Sequence, residues 1–417
     1  MNKRRVVITG LGCVTALGQN VDDLFSALCE GKSGVSNIES FDTSEYPVHF
    51  GGEVKSFDLD KYIDYRESKR LDRFSQFASV SAIKALEDSG LELSDEQTAN
   101  RTGVIIGSGI GGLKEIEEQH ARLLEKGPRK VSPFCVPKLM ANAASGSVSI
   151  AIGAKGPNMC VVTACASSAH ALGEAYNYIA HGRAEAMIAG GAEAALTPIG
   201  LASFCALKSL STRNHDITAA SRPFDIDRDG FVLSEGAAVL VLEEYEHAVK
   251  RGARIYAEFL GYGATGDAHH ITAPLPDGKG AARGLKAALE DAGVNPEDVS
   301  YINAHGTSTQ LNDIAETMAI KSVLGQYAPD AAISSTKSCL GHLLGASGSV
   351  ELAVCAKAIQ TSTIPLTANT TKIDEKCGPE LDHVIKESRN QEVKVAVSNS
   401  LGFGGHNCSL VIGKLDR

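Results

Sequence analysis

A six-residue segment occurs twice in this chain with a single change, serine to alanine. Ala85-Leu86-Glu87-Asp88-Ser89-Gly90 returns as Ala288-Leu289-Glu290-Asp291-Ala292-Gly293. Each copy closes a helix at a glycine, which accepts the left-handed conformation that ends a helix. Each is followed, after a polar linker, by an apolar strand running into small residues, at 104–112 and at 299–309. The opening strand at 5–12 has a counterpart at 254–263. Similar elements in the same order point to duplication, with residues 1–252 and 253–417 as two versions of one fold. The pattern is α/β. Residues 104–107, 187–191 and 237–242 are apolar without alternation, which suits strands covered on both faces. Residues 74–90 and 281–292 place apolar side chains three and four apart, as helices do.

Duplication gives Cys165 and His342 comparable places. Each follows a Ser/Thr-rich strand end and precedes a helix of small residues, at 169–179 and at 343–359. Two related halves packed face to face bring these helix starts together. A cysteine at a helix N-terminus has free N–H groups and a dipole to stabilise a thiolate or an oxyanion. The alternative is a buried structural thiol. His305, in His305-Gly306-Thr307-Ser308-Thr309, follows an apolar strand, where α/β proteins place ligand loops. A turn histidine satisfied by backbone is the competing reading. His342 lies among so many small residues that close packing is implied, and a helix cap would also explain it.

Composition narrows the function. At 417 residues, 43% hydrophobic and 22% charged, the chain can bury a large core. Its formal charge of −10 argues against nucleic-acid binding. Ten cysteines include no Cys-x-x-Cys pair, as expected of reduced thiols in a cytoplasmic protein. No apolar run reaches the ~18 residues that span a bilayer, so no membrane insertion is expected.

Two further motifs read as loops. Gly107-Ser108-Gly109-Ile110-Gly111-Gly112 fits a dinucleotide fingerprint, but no acidic residue follows at the required distance. A turn that admits close approach is the better reading. Asp267-Ala268-His269-His270 lacks spaced ligands, so no metal is expected and a surface loop is favoured. Asn399-Ser400-Leu401-Gly402-Phe403-Gly404-Gly405-His406-Asn407 sets an aromatic among glycines, which suits either a pocket gate with free N–H donors or a plain turn.

Together with Ser221-Arg222-Pro223-Phe224-Asp225 and Arg228-Asp229-Gly230-Phe231-Val232, these segments resemble the β-ketoacyl-[acyl carrier protein] synthases, the condensing enzymes of type II fatty-acid synthesis. The resemblance runs over essentially the whole chain. It implies a thiolase-like fold, five α-β-α-β-α layers built from two duplicated halves. The N-terminal half carries the nucleophile Cys165 and the C-terminal half carries His305 and His342. By the same resemblance Lys337 and Glu351 support the histidines, Phe403 gates the site, Ile110 limits the acyl tunnel, and Thr307 and Thr309 hold the pantetheine arm. The partner is acyl carrier protein, strongly acidic in this family. Binding it to a net-negative chain requires a local basic patch, for which Lys69, Arg70, Arg129, Lys130 and Lys208 are the candidates. A homodimer is implied. No cofactor is, because the phosphopantetheine arm arrives with the substrate.

The implied reaction is a decarboxylative Claisen condensation. An acyl group moves to Cys165, malonyl carrier protein loses CO₂, and the product is two carbons longer. The chain departs from the family at Leu401 and His406, where phenylalanine and threonine are usual, and at Gln310, where proline is common. A thiolase would need a second catalytic cysteine, for which Cys339 is poorly placed. A non-catalytic chain-length subunit would lack the nucleophile. A cysteine hydrolase would leave one histidine and Lys337 unexplained.

Overall fold

Strand β1 (Val6–Val14) and helix α1 (Arg73–Ser89) approach so closely that no side chain fits between them. A Cβ on Gly10 would lie 2.2 Å from the Ala85 carbonyl oxygen, and one on Gly12 would lie 2.1 Å from that of Ser81. The same contact recurs in the second half. There a Cβ on Gly263 would lie 2.1 Å from the Gly284 carbonyl oxygen, and one on Gly261 would lie 2.6 Å from that of Ala288. Both helices end as the sequence predicts. Gly90 (φ 62°, ψ 19°) closes α1, and Gly293 (φ 64°, ψ 29°) closes the helix Lys279–Ala292. At its other end, α1 starts where the Asp72 carboxylate accepts the Phe74 N–H.

These contacts belong to a computed structural model that describes residues 3–415. Met1, Asn2, Asp416 and Arg417, which fall in the two halves as divided above, lie outside the described residues. The main sheet has ten strands. After β1 they are β2 (Thr102–Gly107), β3 (Asn158–Val161), β4 (Ala186–Glu193), β5 (Gly236–Glu244), β6 (Ala257–Gly266), β7 (Tyr301–Asn303), β8 (Ala332–Ser334), β9 (Val395–Gly402) and β10 (His406–Gly413). Their spatial order is β8-β7-β9-β10-β6-β1-β5-β4-β2-β3. Outward from the centre, the first half therefore runs 1-5-4-2-3. The second half runs 6-10-9-7-8, the same order with five added to each number. Within the sheet, among the described residues, the two join where Val6, Val7 and Ile8 pair with Phe259, Glu258 and Ala257.

Layers follow from where the apolar residues sit. Strands β4 and β5 are buried along almost their whole length, as their non-alternating sequences require. One core joins β2, β4 and β5 to α1. A second joins β7, β9 and β10 to α3 (Lys279–Ala292) and α4 (Gln310–Leu324). The central core holds α2 (Ser167–Ala180) and α5 (Ser347–Thr361) between the two halves of the sheet. The result is five layers, α-β-α-β-α, the thiolase-like arrangement.

One expectation shifts by four residues. The second-half helix begins at Ser347, not at 343, because a 3₁₀ turn, Leu344–Ala346, precedes it. The first half has the same device, the turn Ala164–Ala166 ahead of Ser167. Ala164 and Leu344 open these turns with positive φ, 51° and 48°. This conformation costs a non-glycine residue roughly 1–3 kcal/mol, which surrounding structure must hold in place. The structural counterpart of Cys165 is thus Gly345, while His342 stands three residues earlier, opposite Val162.

Candidate active site

Cys165 is held on its turn by its neighbour. The Ser167 hydroxyl accepts the Thr163 N–H at 2.9 Å and donates to the Ala164 carbonyl at 2.6 Å. The end of β9 crosses close by. A Cβ on Gly402 would lie 2.7 Å from the Thr163 carbonyl oxygen, so only glycine lets this strand pass. The crossing brings Phe403 to the cysteine. Burial pushes the Cys165 thiol up to about 12, opposed by the Lys337 charge and by the backbone N–H groups of Phe403 and of Cys165 itself. The expected thiolate stabilisation is present, but burial outweighs it and the resting group is a thiol.

His305 follows β7, and its position is fixed from α4. The two oxygens of Glu316 accept the N–H groups of His305 and Gly306, each at 2.8 Å. Buried without a cation in contact, the Glu316 carboxyl is pushed up to about 7. His342 sits on the loop after the short helix Lys337–Leu340. Its Nδ1 lies 2.9 Å from the Ser347 hydroxyl at the start of α5. The two imidazoles meet edge to face, with ring centroids 5.2 Å apart. Both are held well below the ordinary histidine value. Burial is the main cause, and the Lys337 ammonium adds to it. Both rings are therefore held in the neutral form.

Lys337 lies behind them. Its Nζ is 3.3 Å from His305 Nδ1 and makes an ion pair with Glu351 of α5, with both side chains 2% exposed. The Glu351 carboxyl is pushed up by burial and held down by that contact.

A cavity of about 440 Å³ opens onto this group. Cys165, His305, His342 and Phe403 line it, together with Ile110, Thr307, Thr309 and Lys208. Thr307 and Thr309 share a hydroxyl contact of 2.9 Å. Lys337, Glu351 and Cys339 are buried and lie outside the lining. The other basic candidates are exposed and away from the cavity. Arg129 and Lys130 sit on the turn Pro128–Lys130, Lys69 lies over the Tyr65 ring, and Arg70 lies over Phe134 while pairing with Glu67.

Some residues escaped sequence reading. Asp267, expected on a surface loop, lines the cavity and accepts from Asn407 Nδ2 at 2.7 Å, while its N–H reaches the Gly405 carbonyl. The loop therefore braces the glycine-rich segment beside Phe403. Glu193, Glu316 and Ser347 carried no sequence signal, because each acts on backbone or side chains that only the fold brings near.

Comparison with known proteins agrees with this geometry. Residues 3–248 match the family model of the beta-ketoacyl synthase N-terminal domain, and residues 256–371 match that of the C-terminal domain. The chain is 51% identical over 414 residues to a 3-oxoacyl-[acyl-carrier-protein] synthase 2 of Synechocystis, covering 99% of each chain. A synthase of the same name from Vibrio cholerae is 49% identical over 417 residues, 100% of both chains. Among solved structures, a beta-ketoacyl synthase from Burkholderia phymatum superposes with a TM-score of 0.92 at 36% identity, covering 99% of this chain and 100% of that one. A type II polyketide ketosynthase in complex with its acyl-carrier protein gives 0.91 at 36% identity, with the same coverage. With both domain models matched and full-length relatives at half identity, the chain belongs to the beta-ketoacyl synthase family.

Proposed function

We propose that this protein is a 3-oxoacyl-[acyl-carrier-protein] synthase of the elongating kind. The observation that carries this assignment is the convergence of Cys165, His305 and His342 on one cavity, with both imidazoles neutral. The Cys165 sulfur attacks an acyl thioester delivered by acyl carrier protein. Charge develops on the carbonyl oxygen, and the N–H groups of Cys165 and Phe403 receive it. The carrier thiol leaves with the proton, and the acyl group stays on sulfur.

Malonyl carrier protein then binds. Lys337 donates to His305 Nδ1, so the proton of that ring is on Nε2. His342 takes the same form when Ser347 donates to its Nδ1. Two Nε2–H donors stabilise the enolate oxygen as CO₂ departs. The carbanion attacks the acyl carbonyl on Cys165, the C–S bond breaks, and the sulfur recovers a proton. Lys337 and Glu351 position the histidines without touching substrate. Thr307 and Thr309 hold the pantetheine arm, and Ile110 forms part of the acyl wall. No free cofactor enters this sequence, because both acyl groups arrive on the carrier.

Lys69, Arg70, Arg129, Lys130 and Lys208 form the docking patch for the acidic carrier. The protein acts as a homodimer in the cytoplasm. Support for the dimer comes from β3, an unpaired sheet edge flanked by exposed Ile150 (86%) and Val162 (55%). Among the described residues, no helix is long and apolar enough to cross a membrane. The division into halves 1–252 and 253–417 is supported by the shared strand order.

Incubation with acyl and malonyl carrier proteins tests the assignment through CO₂ release and 3-oxoacyl product. Cys165→Ala is expected to lose condensation. Full condensation by that variant overturns the mechanism.

A further inference from the structure

Glu193, the last residue of β4, is fully buried, and among the described residues no lysine or arginine pairs with it. Four donors converge on it instead. Its Oε2 accepts the N–H of Gly109 at 2.7 Å and of Gly345 at 3.0 Å. Its Oε1 accepts the Ser108 hydroxyl at 3.1 Å and the Ile110 N–H at 3.2 Å. Space is cut to fit the carboxylate. A Cβ on Gly109 would lie 2.8 Å from Oε2, and one on Gly345 would lie 2.6 Å from it.

The two segments it joins pack directly against each other beside the cavity, where a Cβ on Gly345 would lie 2.3 Å from the Gly109 nitrogen. Gly109 and Ile110 come from the first half, and Leu344, beside Gly345, comes from the second. Gly345 is also the counterpart of Cys165, so the clamp replaces a nucleophile position with a backbone donor. We infer that Glu193 is a positioning residue for chain-length selection, holding Ile110 against the acyl chain by tying its loop to the turn Leu344–Ala346. This rests on the proposed role of Cys165 as acyl acceptor.

Only a carboxylate offers two acceptor oxygens to four donors at this size. In Glu193→Gln, the amide oxygen keeps Gly109 and Gly345 while the NH₂ faces Ser108 and Ile110. The serine hydroxyl can turn to accept, but the Ile110 N–H loses its partner. The loop carrying Ile110 loosens, while the turn after His342 stays tied.

The test measures kcat/KM of wild type and E193Q with butyryl and hexadecanoyl carrier protein. Malonyl decarboxylation, thermal unfolding and mass spectrometry of acylated Cys165 are measured alongside. The expected result is a hexadecanoyl-to-butyryl ratio raised at least about fivefold, with decarboxylation within about twofold of wild type. Ser108→Ala, which removes one of the four donors, should move the ratio the same way by less and serves if E193Q does not fold. An unchanged ratio in a folded variant overturns the inference, as does equal loss for both chain lengths. Absence of acyl-Cys165 in the wild-type enzyme instead overturns the proposed role of the cysteine, and the inference falls with it.

Discussion

Lys337 Nζ lies 3.3 Å from His305 Nδ1, in a site where both side chains are almost wholly buried. A fixed positive charge at that distance opposes a second one on the ring. The imidazole is therefore a hydrogen-bond donor through Nε2 and stays neutral when the solution turns mildly acidic.

Malonyl decarboxylation by the wild-type enzyme should accordingly show no acid limb near 6.5, the ordinary histidine value. Removing the charge without stranding its partner needs the pair Lys337→Met and Glu351→Gln. In that variant the histidines protonate at higher pH, and the acid limb moves up toward 6.5. A pH–rate profile with no such movement would show that Lys337 does not act through its charge.

Glu193 and Glu316 make stability fall as pH rises. Burial lifts both from about 4.5 to about 7, so folding favours their protonated forms. Their contribution is complete below the unfolded value and lost as pH rises through the folded one. Each shift corresponds to roughly 3 kcal/mol at most. Glu316→Gln should remove its share, so that urea midpoints of wild type and variant diverge from pH 5 to pH 7.5. Parallel midpoints across that range contradict the prediction.

Gly12→Ala places a methyl group against the Ser81 carbonyl, and Gly263→Ala does the same at Gly284. Backbone cannot yield as a side-chain tip can. Each substitution should cost about 1–3 kcal/mol of stability, the usual range for overpacking. Chemical denaturation measures this directly. Equal losses at the two sites are expected, because the contacts are the same.

Arg129→Glu with Lys130→Glu should raise KM for carrier-bound substrate at low salt and leave kcat little changed. The effect should shrink as salt rises, since these charges are exposed and screened over about 10 Å at 0.1 M ionic strength. Unchanged KM at low salt removes these residues from the docking patch.

Sequence and structure diverge where contacts are long-range. The echo at 85–90 and 288–293 was legible because helix-ending glycines obey local rules. Strands β4 and β5 were legible because burial on both faces erases alternation. Cys165, His305 and His342 could be singled out, but not shown to share a cavity. The match of Cys165 with Gly345 was hidden, since a positive φ at Ala164 or Leu344 leaves no mark in composition. Glu193 and Glu316 were invisible for a related reason. Their partners are backbone N–H groups, which every residue has.

The position of β1 sets the schedule by which the chain can fold. Val6 pairs on one side with Glu244 and on the other with Phe259. β1 is thus central in the finished sheet, and more than 220 residues separate it in sequence from either neighbour. Contacts across such sequence distances close slowly. Until those contacts close, the apolar Val6-Val7-Ile8 strand lacks both its neighbours, and an unpaired apolar edge of this kind invites pairing with other chains.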